Sequence, residues 1–130
     1  MNYQLSPDEC LQSLRDSIRS AENRFADEIP VFATEAQCTA INIAISEIFP
    51  GIARLDRINT LRLIFGRKEG CFNSSKDMTL IGASALIERL YGGQHPGKDI
   101  PRQTDAVTGI RRAYCLATGQ QEIFEEKPNE

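Results

Sequence analysis

Cys71 and His95 are the two loop residues whose types could do chemistry together, as a thiolate and the base that would generate it. His95 is the only histidine in the chain. Such a pair also needs a third group to orient the base, and nothing in the sequence places one in register or brings the two residues together. Residues 92–98, Gly-Gly-Gln-His-Pro-Gly-Lys, fit the letters G-x-x-x-x-G-K, a loop in which backbone N–H groups and a lysine hold phosphates. Asp99 stands where the magnesium-binding Ser or Thr belongs, and an amphipathic helix precedes the run instead of a buried strand, so these letters read as a connection. Cys10, Cys38, Cys71 and Cys115 are far apart, with no C-x-x-C, which argues against a zinc cluster. Three of them lie on apolar helical faces, where a free thiol behaves as a small hydrophobe. The paired carboxylates Glu125 and Glu126 belong to a charged tail. The expectation is a protein that is not an enzyme and has no catalytic residue, cofactor or metal.

Charge offers a different kind of site. Net charge is −3, but residues 1–50 carry three basic and eight acidic side chains, residues 51–115 eleven and six, and residues 116–130 one and four. Arg62, Arg67, Lys68, Lys76, Arg89, Lys98, Arg102, Arg111 and Arg112 fall on two loops and the outer faces of three helices. Gathered at one end of a bundle, they would contact several phosphates of single- or double-stranded DNA with salt-sensitive affinity. Phe72 and Tyr91, beside the same loops, would be placed to stack on bases. The competing expectation is that these arginines pair with acids of the first helix and the tail.

The elements that must position these groups are helical. The least polar run, 34–49 (TEAQCTAINIAISEIF), wraps apolar side chains around most of a 3.6-residue wheel and leaves Thr39, Asn42 and Ser46 as a thin polar stripe. Thr34 and Gln37 form a capping box at its start, and Pro50-Gly51 stops it. Before it, Ser6-Pro7-Asp8-Glu9 is a helix start with its own capping box. Leu11, Leu14, Ile18, Ala21 and Phe25 make one narrow seam on a helix expected to run to about Glu28, ahead of Pro30. A third helix, about 53–65, would turn Leu55, Ile58, Leu61 and Phe65 inward and Asp56, Arg57 and Thr60 outward. A fourth runs from Thr79 as N-cap to Tyr91, with small residues at 82–85 that permit close approach, and Gly92-Gly93 ends it. A fifth spans 104–118, with Val107, Ile110, Tyr114 and Ala117 inward.

No strand alternation or repeat appears, so the fold class expected is all-α. At 130 residues the chain reads as a single domain, a bundle of about five helices around a buried central helix (34–49). A chain this long buries roughly two thirds of its unfolded surface. A frayed acidic tail occupies about 120–130. No apolar run approaches the roughly 20 residues of a membrane span, and MNYQLSPDE is no secretion leader, so a cytoplasmic address with no membrane partner is the expectation.

The run Thr34-x-x-Gln37, the Arg-rich helix ending in Phe65-Gly66, then Ser74-Ser75-Lys76-Asp77-Met78-Thr79 and Ala83-Ser84-Ala85-Leu86-Ile87-x-x-Leu90 resembles the core of the GemA-like regulatory proteins of Mu-type phages. A similar helical module is appended to some single-strand annealing proteins. The resemblance covers about residues 33–90. It implies a phage or mobile-element setting and a regulatory or accessory role, by binding, in DNA replication, recombination or transcription. The family has an acid three residues after the second threonine, where this chain has Gly82. The alternative function is an acidic helical protein-interaction module (an inhibitor, immunity protein or chaperone) that binds a protein partner through the first helix and the tail.

Overall fold

The computed structural model describes residues 5–68 and 70–119. Among them are five α-helices: α1 Pro7–Asn23, α2 Glu35–Ile48, α3 Arg54–Phe65, α4 Leu80–Tyr91 and α5 Thr104–Thr118. A 3₁₀ turn, Ser75–Asp77, sits ahead of α4. The only β pairing among the described residues is an isolated antiparallel bridge between Phe32 and Thr79. The architecture is an all-α bundle, and the tail expected at 120–130 lies outside the described residues. No helix among those residues is long and apolar enough to cross a membrane.

The helix starts follow side-chain chemistry. Ser6 Oγ accepts from Glu9 N–H at 3.2 Å while Glu9 Oε1 accepts from Ser6 N–H at 2.8 Å. Thr34 and Gln37 repeat the reciprocal pattern at 3.1 and 3.0 Å. The Gln37 amide also donates to Ser84 Oγ at 2.8 Å and to Leu80 C=O at 3.3 Å, so the residue that caps α2 also ties it to α4.

Three expectations need correction. Helix α1 ends at Asn23 and not near Glu28, because Phe25, Ala26 and Glu28 donate to the carbonyls of Glu22, Asn23 and Phe25, three residues back. That tightening swings the chain away from the helix axis. Phe25 consequently leaves the buried seam and is 42% exposed. In α3 the buried face is centred on Ile58, Leu61, Ile64 and Phe65, so Leu55 is exposed and Thr60 is buried. Thr60 tolerates burial because its hydroxyl donates to Asp56 C=O at 2.7 Å. The run 34–49 is covered along one stripe, Cys38, Ile41, Ala44 and Ile45, with Ala36 exposed and Ile43 half-buried. The most extensive helix pairing is α1 with α5, followed by α3 with α5.

The α1–α5 contact depends on Gly109. A Cβ there would lie 2.8 Å from Leu14 Cδ1 and 2.9 Å from Cys10 C=O, so the two helices meet at backbone distance. Leu14, Ile18, Ile110 and Ala113 of these two helices are buried in the common core. Phe72 and Met78, from the segment between α3 and α4, are fully buried, and Phe72 packs on Phe65 with ring centroids 5.8 Å apart.

Glycine to alanine inside a helix ordinarily stabilises by about 0.5–1 kcal/mol. Gly109→Ala is expected to do the reverse, lowering stability by roughly 1–3 kcal/mol through overpacking, as read from the urea unfolding midpoint. Cys10, Cys38 and Cys115 are buried and Cys71 is exposed. Burial, with help from Asp105 and Glu9, pushes the Cys10 thiol above the usual range and so favours its unreactive protonated form. Aromatic disulfide reagents at neutral pH should therefore titrate one thiol quickly in the native protein and four in denaturant.

Candidate functional site

Of the nine cations expected to form one patch, six arginines hold contacts within the chain, and two of these, Arg62 and Arg67, line one shallow concavity with Arg15. Arg62 donates from Nε to Phe72 C=O at 2.6 Å and from its guanidinium to Asn59 and Asn73, fastening α3 to the following loop. Arg89 donates to Ser13 C=O, Ser17 Oγ and Asp105, bracing α4 against α1 and α5. Arg102 pairs with Glu47 of α2, and Arg112 with Asp8 of α1. Arg67 pairs with Glu22. Arg111 is half-buried on α5 and also engaged.

Lys68, Lys76 and Lys98 are exposed. The first two lie ahead of α4 and the third beyond its far end. The stacking role expected of Phe72 and Tyr91 is corrected outright. Phe72 is 0% and Tyr91 1% exposed, so neither ring face is open to a base.

Cys71 and His95 are both exposed, in the connections before and after α4. No hydrogen bond joins them among the described residues. The G-x-x-x-x-G-K letters fall in a helix-to-helix connection whose lysine does not enter a helix. Asp99, at φ +66°, turns this loop, and its N–H lies 3.3 and 3.4 Å from the two carboxylate oxygens of Glu47.

Apolar surface is far more concentrated. Among the described residues seven large hydrophobic side chains are exposed, and four of them, Phe25, Ile29, Val31 and Phe32, fall within one stretch of eight residues. Ile29 is 88% exposed. Phe25, Ile29 and Val31 line a groove of about 310 Å³ between the end of α1 and the start of α4, to which Leu80 and Ile81 also contribute.

The groove takes its shape from two local devices. Leu80 N–H donates to Val31 C=O at 2.8 Å and Ala33 N–H to Met78 C=O at 2.9 Å, which holds the 31–33 segment extended beside the entry to α4. Below it, one Arg67 guanidinium nitrogen lies 2.8 and 2.7 Å from the two Glu22 oxygens. A second donates to Phe65 C=O at 2.8 Å. The Thr79 hydroxyl donates to Glu22 while accepting from Gly82 N–H at 3.0 Å, so Thr79 caps α4 and anchors α1 at once.

The glycine three residues after Thr79 has a steric reason. A Cβ at position 82 would sit 2.7 Å from Phe65 Cε2, 2.7 Å from Thr79 Oγ1 and 3.0 Å from Glu22 Oε2. The carboxylate at this helix start comes from α1, and the side chain is missing where it enters. The sequence does not show the groove, because the 3-4 spacing carries Phe25 into the buried seam and residues 29–33 read as a linker. Its signal was present: Ile-Pro-Val-Phe is unusually apolar for a surface connection.

Fold and surface thus define an all-α bundle with an apolar groove. Searches of protein-family models, curated proteins and solved structures found no match to the chain, so the resemblance to GemA-like proteins rests on the residues that carry it.

Glu22→Gln keeps the volume of the groove floor but weakens its charged hydrogen bonds to Arg67 and Thr79. A loss of about 1–3 kcal/mol is expected in urea unfolding, since hydrogen bonds to charged groups contribute on that scale. Arg112→Gln, whose partner Asp8 is 71% exposed, should cost less than about 1 kcal/mol by the same measurement.

Proposed function

We propose that this chain is a non-catalytic helical binding module whose groove between α1 and α4 docks an apolar segment of a partner protein. The observation that carries the reading is the clustering of Phe25, Ile29, Val31 and Phe32 on one exposed stretch beside the groove. Burying apolar surface is the main source of affinity at such patches, at about 25 cal/mol per Å² removed from water before the costs of association. The floor is braced by Glu22, Arg67 and Thr79, so less ordering cost falls on binding.

The same geometry offers less to a phosphate backbone. Each phosphate contact needs a cation able to reach it, and Arg67, Arg89, Arg102 and Arg112 are engaged by carboxylates of the chain itself. The resemblance to GemA-like proteins would place this docking event in phage or mobile-element DNA metabolism, with the module acting through a protein.

Peptide display on the purified protein is expected to enrich apolar sequences. A synthetic peptide from that selection should bind Ile29→Ser/Val31→Ser at least about tenfold more weakly than the parent protein, the loss expected when roughly 1.4 kcal/mol of apolar contact disappears. Both side chains are exposed, so the thermal midpoint should stay within a few degrees and report that the variant folds. Lys68→Ala/Lys76→Ala/Lys98→Ala should leave peptide affinity unchanged. Equal peptide binding by the serine variant overturns the reading. So does salt-sensitive binding of labelled DNA that the triple lysine variant abolishes, with no peptide enriched.

A further inference from the structure

We infer that the docked segment is an extended strand carrying basic residues among its apolar ones, added to the open edge of residues 30–32. This rests on the docking reading above and specifies the occupant.

The backbone supplies the first reason. In an antiparallel pairing, alternate residues direct their N–H and C=O groups to opposite sides. Val31 C=O and Ala33 N–H face the 78–80 segment and are used there. The intervening Phe32 therefore directs its N–H and C=O outward, and neither has a partner among the described residues. Pro30 C=O shares that outward side, and its ring nitrogen carries no proton to donate. One donor flanked by acceptors is the template that strand addition uses, in which main-chain bonds give affinity and alternate side chains give selectivity.

The side chains add apolar contact. Ile29, Pro30 and Val31 line the groove, and Phe32 stands exposed beside it. A strand laid along this edge would cover Ile29, Val31 and Phe32.

Charge selects the occupant. Glu22 and Arg67 cancel within the floor. The remaining charged residues of the surrounding stretch are Arg24, Asp27, Glu28 and Glu35, all exposed and none in an ion pair among the described residues. That leaves three acids against one base. A second copy of the chain would bring the same acids to the same edge and be repelled. A strand with lysine or arginine between apolar residues is complementary to it.

The test uses the full chain and fluorescence anisotropy with three labelled octapeptides. One alternates valine and lysine, one alternates valine and glutamate, and one is the valine–lysine peptide with its four central amides N-methylated. The first should bind saturably, and the other two should bind at least about tenfold more weakly, a difference of roughly 1.4 kcal/mol. On the protein side, Phe32→Pro removes the outward donor while leaving the Val31–Leu80 and Ala33–Met78 bonds in place. It should weaken the valine–lysine peptide severalfold beyond Phe32→Ala, which removes only the ring.

No saturable binding of the valine–lysine peptide overturns the inference. Equal binding of the methylated or glutamate peptide does so as well, and then Ile29→Ser/Val31→Ser still reports separately on whether the groove docks apolar segments at all. Dimerisation of the free protein that Phe32→Pro abolishes would assign the edge to a second copy and likewise overturn a basic strand as its occupant.

Discussion

The carboxylate of Glu22 is the junction on which the upper half of the molecule depends. It receives the Arg67 guanidinium from the loop after α3 and the Thr79 hydroxyl from the start of α4, so three segments far apart in sequence meet on one charged group. Its side chain is only 18% exposed, and a carboxylate so far removed from water is tolerable only when its lone pairs are satisfied. Gly82 makes room for it, Phe65 closes one side, and Thr79 is thereby held where its neighbours Met78 and Leu80 can pair with the 31–33 segment. The groove wall and the entry to α4 are thus set by a single polar contact, with the apolar residues packed around it.

The arginines show that charge read along the chain is not the charge of a surface. A basic middle between two acidic ends looks, in one dimension, like a surface for a polyanion. In three dimensions α1 carries its acids to the segments that hold the bases: Asp8 meets Arg112 and Glu22 meets Arg67. Arg62 uses its guanidinium fork on a backbone carbonyl and two side-chain amides, and Arg89 spreads its own over a carbonyl, a hydroxyl and the Asp105 carboxylate, so that several donors in a fixed plane fasten neighbouring elements. The lysines, whose ammonium groups are more strongly hydrated, stay at the surface.

Local chemistry was legible in the sequence, and tertiary direction was not. Ser6, Thr34 and Thr79 could be named as helix starts because a cap is satisfied within a few residues of itself, and the bounds of α4 and the end of α5 at Gly119 follow from such signals. The seam of α1 was readable as far as Ala21 because its 3-4 spacing is regular. Phe25 continued that spacing on paper but not in space, since the final turn tightens and the chain departs. Leu55 and Thr60 were misplaced for a related reason: a short helix with apolar residues on more than one side can present either to the core, and the choice belongs to its neighbours. Phe72 and Tyr91 looked like surface aromatics beside loops, yet the bundle needed their volume inside.

Pro30 carries a consequence of a different kind. Exposed strands rich in isoleucine, valine and phenylalanine are the segments through which proteins stack into insoluble assemblies, one edge recruiting the next. Here the imide nitrogen interrupts the row of donors after a single residue, and Asp27 and Glu28 stand just ahead of the apolar run at 29–32 as gatekeepers. The border that would admit a foreign strand is thereby a poor seed for growth by its own kind.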